Sequence, residues 1–385
     1  MAKKKNKEVV NEMPQEITKA KTGNVIERIE KELKKIEENE FNVYFYVIDT
    51  KGVPSGSLLY IYKIAYELKE MGYNVTMLHS EKDFVGIGQW ADKKYAELKH
   101  VGIDEKKAKI TASPSDFLII PEIYTDVMSQ TRNLPCKRIM LVQNFDYMTR
   151  IISPGVHPYE YGITDAIVNS SVNQKFMTNN LPRIKTHLLN PGISSGLFRK
   201  NEKPKKMVVN FCVKDANDAS RIVKPFFWKY PQLKWVQFAQ LQNLPQEIFA
   251  DALRDAAITV VVDDTMSFGY SALEALKAGS IVICKIPENT PDWMLENEEL
   301  TNAIVWVDNL DEVSDIIANL VAMWVRDDVP EELYEEMDKV AALHTNETMK
   351  NDIKKVFVDG FFADRKKEIE DALKNVNENK EKVEE

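Results

Sequence analysis

Short apolar runs alternate with amphipathic stretches through the first half of the chain. Runs typical of buried strands cover residues 42–48, 74–78, 116–120, 138–142 and 166–169. Apolar residues recur with the helical period in residues 58–71 and 173–179, which predicts two helices there. This alternation of strands and helices indicates a parallel sheet that is covered by helices on both faces.

The same alternation starts again after Pro191. Strands are predicted at residues 207–213, 235–239, 258–262, 281–284 and 304–307. Helices are predicted at residues 219–230, 245–256, 270–278 and 310–324. We therefore expect an α/β protein with two Rossmann-like, doubly wound parallel-sheet lobes. Such proteins bind their ligand in the cleft between the lobes, at the carboxyl ends of the strands.

The two ends of the chain differ from the middle because they are rich in charged residues. Residues 25–36 and 363–385 keep a few apolar positions at helical spacing, so we expect a helix at each end with frayed extremities. Solvated tails and partner-binding tails both agree with this composition. We therefore expect four segments. A charged N-terminal extension covers residues 1–40, an N-terminal lobe 41–195 and a C-terminal lobe 196–345. Residues 346–385 are expected to form C-terminal helices that return to the N-terminal lobe and end in a charged tail.

Composition and charge narrow the range of functions. With 385 residues, of which 44% are hydrophobic, the chain has enough apolar material for two packed domains. The 51 basic and 60 acidic side chains give a net charge of −9, which argues against broad nucleic-acid binding. Three widely spaced cysteines and the absence of an apolar leader favour a reducing, cytoplasmic location. The apolar runs are too short to span a membrane.

The segment 263–279 carries the most informative chemistry. A predicted strand ends in a polar turn, Gly269 follows, and a helix begins near Tyr270. The first N–H groups of a helix have no partner inside the helix, and together with the helix dipole they form a site for a phosphate group. Gly269 allows close approach of an anion because it has no Cβ. Glu274 lies about one turn further along, within reach of ribose hydroxyls. This arrangement predicts a nucleotide site.

These residues resemble a known motif. Ser267-Phe268-Gly269, with Leu273-Glu274-Ala275-Leu276-Lys277-Ala278-Gly279 after it, is similar to the nucleotide-sugar motif of retaining glycosyltransferases of family 4, which have the GT-B fold. The glycine-rich loop and helix at 52–75, the stretch 166–198 and the residues 308–313 resemble further stretches of that family. The resemblance covers about residues 41–362 and includes the order of the elements.

The resemblance implies a glycosyltransferase that moves a sugar from a UDP- or GDP-linked donor to an acceptor, with retention of configuration and without a metal or other cofactor. In the family, the residue at the position of Glu274 holds the ribose. The expected donor-binding residues are Lys214, Arg221, Thr265, Ser267, Phe268, Gly269, Tyr270, Ser271 and Glu274. The loop and acceptor residues expected in the N-terminal lobe are Gly52, Gly56, Ser57 and Gln143.

Two further residues are candidates for catalysis. Glu122 follows the strand that ends at Ile120, which makes it a candidate base, and a helix-capping or loop role is an equal alternative. Asn144 follows Gln143 at the end of another strand, where an amide can hydrogen-bond a sugar but cannot act as a base.

The chain departs from the family pattern at several positions, which motivates other hypotheses. Met266 replaces the family's first motif glutamate, which touches the transferred sugar, and Gln143-Asn144 stands where the family often has a histidine. Residues 287–292 replace a glycine-rich loop. A catalytically degenerate GT-B protein that binds glycans or proteins or acts as a structural module is the second hypothesis. Another two-lobed enzyme, such as an epimerase or a phosphorylase, is the third.

The sequence leaves the partners open. A glycan, a lipid-linked sugar, a protein and a modified nucleic-acid base all agree with the predicted N-terminal lobe as acceptors. Peripheral membrane contact through Lys3 to Lys7 and the helix at 25–36 is an alternative, although glutamates interrupt its basic face. Asp263-Asp264 fits a metal-binding doublet or the polar end of a strand, and we expect the second.

Overall fold

The computed structural model describes residues 15–81, 83–103 and 111–384, and its side chains from residue 24 to residue 381 within these ranges. The lysines at positions 3–7, which carry the membrane hypothesis, lie outside the described residues. No described helix combines the length and the apolar character that are needed to cross a membrane.

A seven-stranded parallel sheet organises the N-terminal lobe, with strand order β3-β2-β1-β4-β5-β6-β7. Its strands are β1 Asn42–Tyr46, β2 Asn74–His79, β3 Lys99–Gly102, β4 Phe117–Pro121, β5 Lys137–Val142, β6 Asp165–Val168 and β7 Lys185–Leu188. Its helices are α1 Gln15–Glu37, α2 Gly56–Glu70, α3 Thr125–Gln130, α4 Phe145–Ile151 and α5 Ser171–Asn180. The central strands are apolar because helices cover both faces of the sheet, as the sequence predicts.

A five-stranded parallel sheet organises the C-terminal lobe, with strand order β14-β11-β10-β8-β9. Its strands are β8 Lys206–Val213, β9 Gln237–Gln240, β10 Ala256–Val262, β11 Ile281–Lys285 and β14 Ile304–Val307. A short antiparallel hairpin, β12 Leu295–Glu296 and β13 Glu299–Leu300, lies outside this sheet. The helices are α6 Ala216–Lys229, α7 Gln246–Asp255, α8 Tyr270–Lys277, α9 Val313–Arg326 and α10 Glu331–Ala341. These two sheets confirm the predicted α/β class with two lobes.

The last part of the chain packs in the N-terminal lobe. It consists of α11 Asn346–Ile353, a π-helical segment Lys354–Phe362 and α12 Ala363–Glu384. Ile353, Phe357 and Phe362 are buried in the same apolar cluster as β1 and α2, and the Phe362 ring centroid lies 4.8 Å from that of Phe41. Helix α12 also packs against α1. The N-terminal lobe therefore contains two separate stretches of chain.

The chain crosses between the lobes twice, and the two crossings touch. The Ile193 N–H donates a hydrogen bond of 2.8 Å to the His344 carbonyl. A Cβ on Gly192 would lie 2.8 Å from the Thr345 carbonyl oxygen and 2.8 Å from the Asn346 Cα. Only glycine fits at this position, because a side chain would overlap the second crossing.

Candidate functional site

The cleft between the lobes contains a cavity of about 340 Å³ at the turn that joins β10 to α8, which we call the turn cavity. It brings together eleven of the predicted site residues, although they come from both lobes. These are Gly56, Ser57, Gln143, Asn144, Lys214, Thr265, Ser267, Phe268, Gly269, Tyr270 and Ser271. Carboxyl ends of strands from both sheets meet here, as expected for α/β folds.

Two helix N-termini, one from each lobe, face each other across the turn cavity. Helix α8 begins at Tyr270, and helix α2 begins at Gly56, where a Cβ would lie 3.9 Å from the Tyr270 ring. The Ser55 hydroxyl caps α2 by accepting from the Leu58 N–H at 3.3 Å, while the N–H groups of Gly56 and Ser57 have no partner within the helix. Both helix dipoles therefore favour negative charge in the cavity.

Gly269 gives the turn its shape. Its φ of +81° is in the left-handed region, where residues with a Cβ are strained. A Cβ there would lie 2.8 Å from the Met266 sulfur and 2.8 Å from the Met294 methyl carbon. The Trp293 indole N–H donates a hydrogen bond of 2.6 Å to the Phe268 carbonyl, so a residue distant in sequence stabilises the turn.

Lysines pair with both carboxylates of the Asp263-Asp264 doublet. Lys214 Nζ lies 2.6 Å from Asp263 Oδ1 and 3.1 Å from the Thr265 hydroxyl, and Lys285 Nζ lies 2.6 Å from Asp264 Oδ1. These contacts agree with the polar end of a strand, and no cluster of three or more metal-ligating side chains occurs among the described residues. A bound phosphate would compete with Asp263 for the Lys214 ammonium group.

The Ser267 hydroxyl joins the two lobes. It accepts a hydrogen bond of 2.7 Å from the Asn173 amide and donates one of 3.1 Å to Asn169 Oδ1. Its oxygen also lies 3.2 Å from the Ser170 hydroxyl oxygen. Ser267 thus contacts protein groups of the opposite lobe, in addition to lining the turn cavity.

Gln143 and Asn144 form the N-terminal-lobe wall of the turn cavity. The Gln143 side chain is buried, and its Oε1 has no hydrogen-bond partner among the described residues. The Asn144 side chain caps α4 by accepting from the Asp146 N–H at 2.9 Å. Buried polar atoms are normally paired, so the free Gln143 oxygen is suited to a donor group on a ligand.

Glu122 lies behind this wall and does not line the turn cavity or the second cavity that is described below. Its Oε1 accepts from the backbone N–H groups of Gln143 at 3.1 Å and Asn144 at 2.9 Å. Burial raises the pKa of Glu122 to about 7, although these hydrogen bonds oppose the shift. Of the two roles left open by the sequence, these contacts support the loop role.

A second cavity of about 240 Å³ adjoins the turn cavity, and we call it the helix cavity because α2, α7 and α8 line it. Glu274 faces it from the C-terminal lobe and Lys63 from the N-terminal lobe. Burial raises the pKa of Glu274 and lowers that of Lys63, while the attraction between their charges opposes both shifts. Both groups therefore lie in a partly dry site, where burial disfavours their charged forms and their mutual attraction favours them.

Besides Glu122, two predicted residues lie away from both cavities. Arg221 is exposed on α6, and its guanidinium group lies 3.8 Å from Asp311, because the second turn of α6 faces the start of α9. Gly52 adopts a φ of +80° in the turn before α2, where a Cβ would lie 3.0 Å from Gln89 Oε1. Met266 is 2% exposed in the wall of the turn cavity, where the resemblance expects a carboxylate.

The sequence prediction missed Lys63, although a signal for it exists. Gly56, Leu59, Tyr60 and Lys63 all line the helix cavity, and they lie at positions i, i+3, i+4 and i+7 of one helix face. A charged residue in an otherwise apolar stripe indicates a function or a specific partner. Trp90, which also lines this cavity, lies in a stretch without such periodicity.

The sequence matches no protein-family model and no curated protein. Solved structures match in fold. One is the sucrose-phosphate synthase from Thermosynechococcus elongatus, with a TM-score of 0.58 and 12% identity over 83% of this chain and 98% of that one. The chain has the GT-B fold. Family 4 membership stays a prediction, because no family model matches.

Two further GT-B structures are similar. The pneumococcal O-GlcNAc transferase, solved with UDP and GlcNAc, gives a TM-score of 0.54 at 10% identity over 82% of this chain and 98% of that one. An α-glucosyltransferase solved with UDP and a 13-mer DNA containing a HMU base gives 0.53 at 10% identity over 81% and 99%. At this identity the likeness concerns the GT-B fold alone.

Proposed function

We propose that the protein transfers a sugar from a nucleoside diphosphate donor to an acceptor bound in the same cleft. The observation that carries this proposal is the pair of helix N-termini, Gly56 and Tyr270, that face each other across the turn cavity. Lys214 adds a positive charge at its edge, and Glu274 lies in the adjoining cavity. The similar structures solved with UDP support a nucleotide donor for a protein of this fold.

The proposed donor lies across both cavities. The diphosphate binds at the start of α8, against the N–H groups of Tyr270 and Ser271 and the Lys214 ammonium group. The nucleoside extends into the helix cavity, where Glu274 accepts hydrogen bonds from its hydroxyl groups. The sugar then faces Gln143 and Asn144, whose amides match its hydroxyls.

Charge stabilisation is the main catalytic contribution in this proposal. The bond between the anomeric carbon and the diphosphate oxygen breaks while a bond to the acceptor oxygen forms, and negative charge grows on the leaving diphosphate. The two helix ends and Lys214 are already oriented to stabilise that charge. The amides of Gln143 and Asn144 cannot take the acceptor proton, so we assign it to the departing phosphate. Retention and independence of a metal remain expectations from the family resemblance.

A screen of nucleotide sugars for donor hydrolysis and transfer tests the function, with calorimetric binding of UDP, GDP and ADP beside it. Binding together with turnover supports the proposal. If none of these nucleotides binds the folded protein, the proposal is wrong.

Glu274→Gln tests the nucleotide site within this proposal. We expect it to weaken nucleotide binding by about 1.5–3 kcal/mol, because it removes a charge-assisted hydrogen bond to the ribose. Calorimetry measures the effect, and Glu299→Gln on the exposed β12–β13 hairpin is the matched control. Equal affinity in wild type and Glu274→Gln would contradict the role of Glu274.

A catalytically degenerate binding protein is the second candidate function. Two observations favour it: the buried thioether of Met266 replaces a carboxylate in the turn cavity, and Arg221 is turned away from the site. Nucleotide binding without turnover of any nucleotide sugar supports this alternative, and detectable transfer excludes it.

A further inference from the structure

The helix cavity combines Glu274 of the nucleotide motif with two residues that the motif does not include. Lys63 and Trp90 belong to the N-terminal lobe, whereas Glu274 belongs to the C-terminal lobe. The backbone also joins the lobes beside this cavity, because the Gln246 N–H donates a hydrogen bond of 2.8 Å to the Trp90 carbonyl. A ligand in this cavity therefore touches both lobes.

The polar groups of this cavity are incompletely paired within the protein. Among the described residues, the Glu274 carboxylate has no ion-pair partner within 4.0 Å. Trp90 is 5% exposed, and its indole N–H has no hydrogen-bond partner within the part of the chain that the structure describes. Lys63 Nζ donates to the Gly192 carbonyl at 2.6 Å, which leaves two of its three N–H donors for other groups. Leaving these buried polar groups without partners costs free energy, so the cavity is suited to a polar ligand that pairs with them.

A hydroxyl group fits between an ammonium group and a carboxylate. It donates its proton to the carboxylate and accepts an N–H from the ammonium group, so that one group satisfies both charges. A vicinal diol offers two such groups side by side. A phosphate in the same place would instead be repelled by Glu274.

We propose that Lys63 is a specificity-determining residue that reads the ribose diol of the donor jointly with Glu274, from the opposite lobe. This inference rests on the proposed function and adds a residue of the N-terminal lobe to nucleotide recognition. Because Lys63 is also bonded to Gly192 in the first crossing, the ribose links both lobes and the segment that joins them.

The experiment compares the tightest-binding of UDP, GDP and ADP with its 2′,3′-dideoxy analogue by calorimetry, in wild type and Lys63→Met. Wild type is expected to prefer the ribonucleotide by about tenfold or more, because hydroxyls bonded to charged groups are lost in the analogue. In Lys63→Met this preference falls severalfold, while affinity for the dideoxy analogue changes little. Lys63→Arg, which keeps the charge, is expected to retain most of the preference.

Lys69→Met is the matched control, because Lys69 is on the same helix but pairs with Glu97 at 2.7 Å, away from the cavity. It should leave the preference unchanged. An unchanged preference in a folded Lys63→Met variant overturns the inference, as does an equal loss for both ligands, which would indicate a phosphate contact or a purely structural role. Failure of wild type to bind any nucleotide instead overturns the proposed function itself.

Discussion

Gly269 determines the shape of the proposed phosphate site at the scale of one residue. Its positive φ turns the chain from the end of β10 into α8, and its missing Cβ leaves room for Met266, Met294 and Trp293. The same contacts that stabilise the turn therefore disfavour every residue with a Cβ at this position. The turn and Met266 are local in sequence, but Met294 and Trp293 come from a distant stretch of the chain.

Gly269→Ala is expected to lower the free energy of unfolding by about 2–3 kcal/mol, since it combines backbone strain with steric overlap. Urea unfolding measures the loss. Gly72→Ala is the control, because Gly72 has a φ of +91° but no atom within 4 Å of the added Cβ. It should cost about 1 kcal/mol from strain alone. Equal losses in the two variants would show that the packing around Gly269 has no effect.

Glu122 makes stability depend on pH. Its pKa is raised to about 7 from the ordinary 4.5, so between these values the folded chain holds a proton that the unfolded chain has released. Stability from this group is therefore largest at low pH and falls as pH rises to 7. Glu122→Gln removes the titration, and wild type should lose about 2–3 kcal/mol relative to it between pH 4.5 and pH 7.

Urea unfolding at several pH values measures that difference between wild type and Glu122→Gln. Glu299→Gln, on the exposed hairpin, should follow wild type at every pH. A constant difference between wild type and Glu122→Gln would mean that the carboxyl is ionised throughout, held so by the N–H groups of Gln143 and Asn144.

At the scale of elements, sequence patterns predict what lies in the middle of a sheet better than what lies at its edges. The interior strands β1, β4, β5 and β10 are continuous apolar runs, and each was predicted. The edge strands β3 and β7 are polar, as Lys99-His100-Val101-Gly102 and Lys185-Thr186-His187-Leu188, because one side of each has no neighbouring strand. They carry no apolar run and were missed, as were the short helices α3 and α4.

Candidate site residues also divide into those that local sequence predicts and those that depend on how the lobes pack. The turn at Gly269 and the helix after it form from neighbours in sequence, so the local sequence is enough to predict a phosphate site there. Lys63 and Glu274 line the same cavity only because the two lobes pack beside each other, and no local sequence pattern indicates this juxtaposition. Arg221 was expected at the site as the approximate counterpart of one member of the family's basic pair, but its position on α6 directs it to Asp311.

The start of helix α5 holds three elements together through Asn173. Its side chain accepts from the Phe145 N–H of α4 at 3.0 Å and donates to Asn169 and Ser267, each at 2.7 Å. Asn173→Ala should lower the free energy of unfolding by about 2–4 kcal/mol, because it leaves a backbone N–H and two oxygens without this partner.

Urea unfolding measures the effect of Asn173→Ala. Asn180→Ala at the exposed end of the same helix is the control, since its amide makes one hydrogen bond of 2.9 Å to the Phe176 carbonyl. A cost for Asn173→Ala no larger than that of the control would contradict a bridging role.

At the scale of the molecule, the N-terminal lobe depends on the end of the chain. Residues of α11 and the π-helical segment fill its core, where Ile353, Phe357, Phe361 and Phe362 are nearly completely buried. Burying one such side chain is worth about 1.5–3 kcal/mol, so together they are comparable with the stability of a whole domain.

A chain truncated after Leu343 is expected to lose hydrogen-exchange protection throughout the N-terminal lobe, in β1 and α2 among others, while β10 in the C-terminal lobe stays protected. A chain truncated after Asn375, which loses only the polar end of α12, is the control and should keep both lobes protected. Protection of β1 in the shorter chain would show that the lobe is stable without these helices.

The double crossing at Gly192 and Thr345 also sets an order of events during synthesis. The C-terminal lobe is one continuous stretch, so all of its strands have left the ribosome before the helices that complete the other lobe are made. The lobe that is translated first therefore completes its core last, and until then the apolar surface of β1 and α2 stays exposed to solvent. Folding from the ribosome should accordingly run against the order of the sequence, with the second lobe native while the first still exposes a surface that chaperones bind.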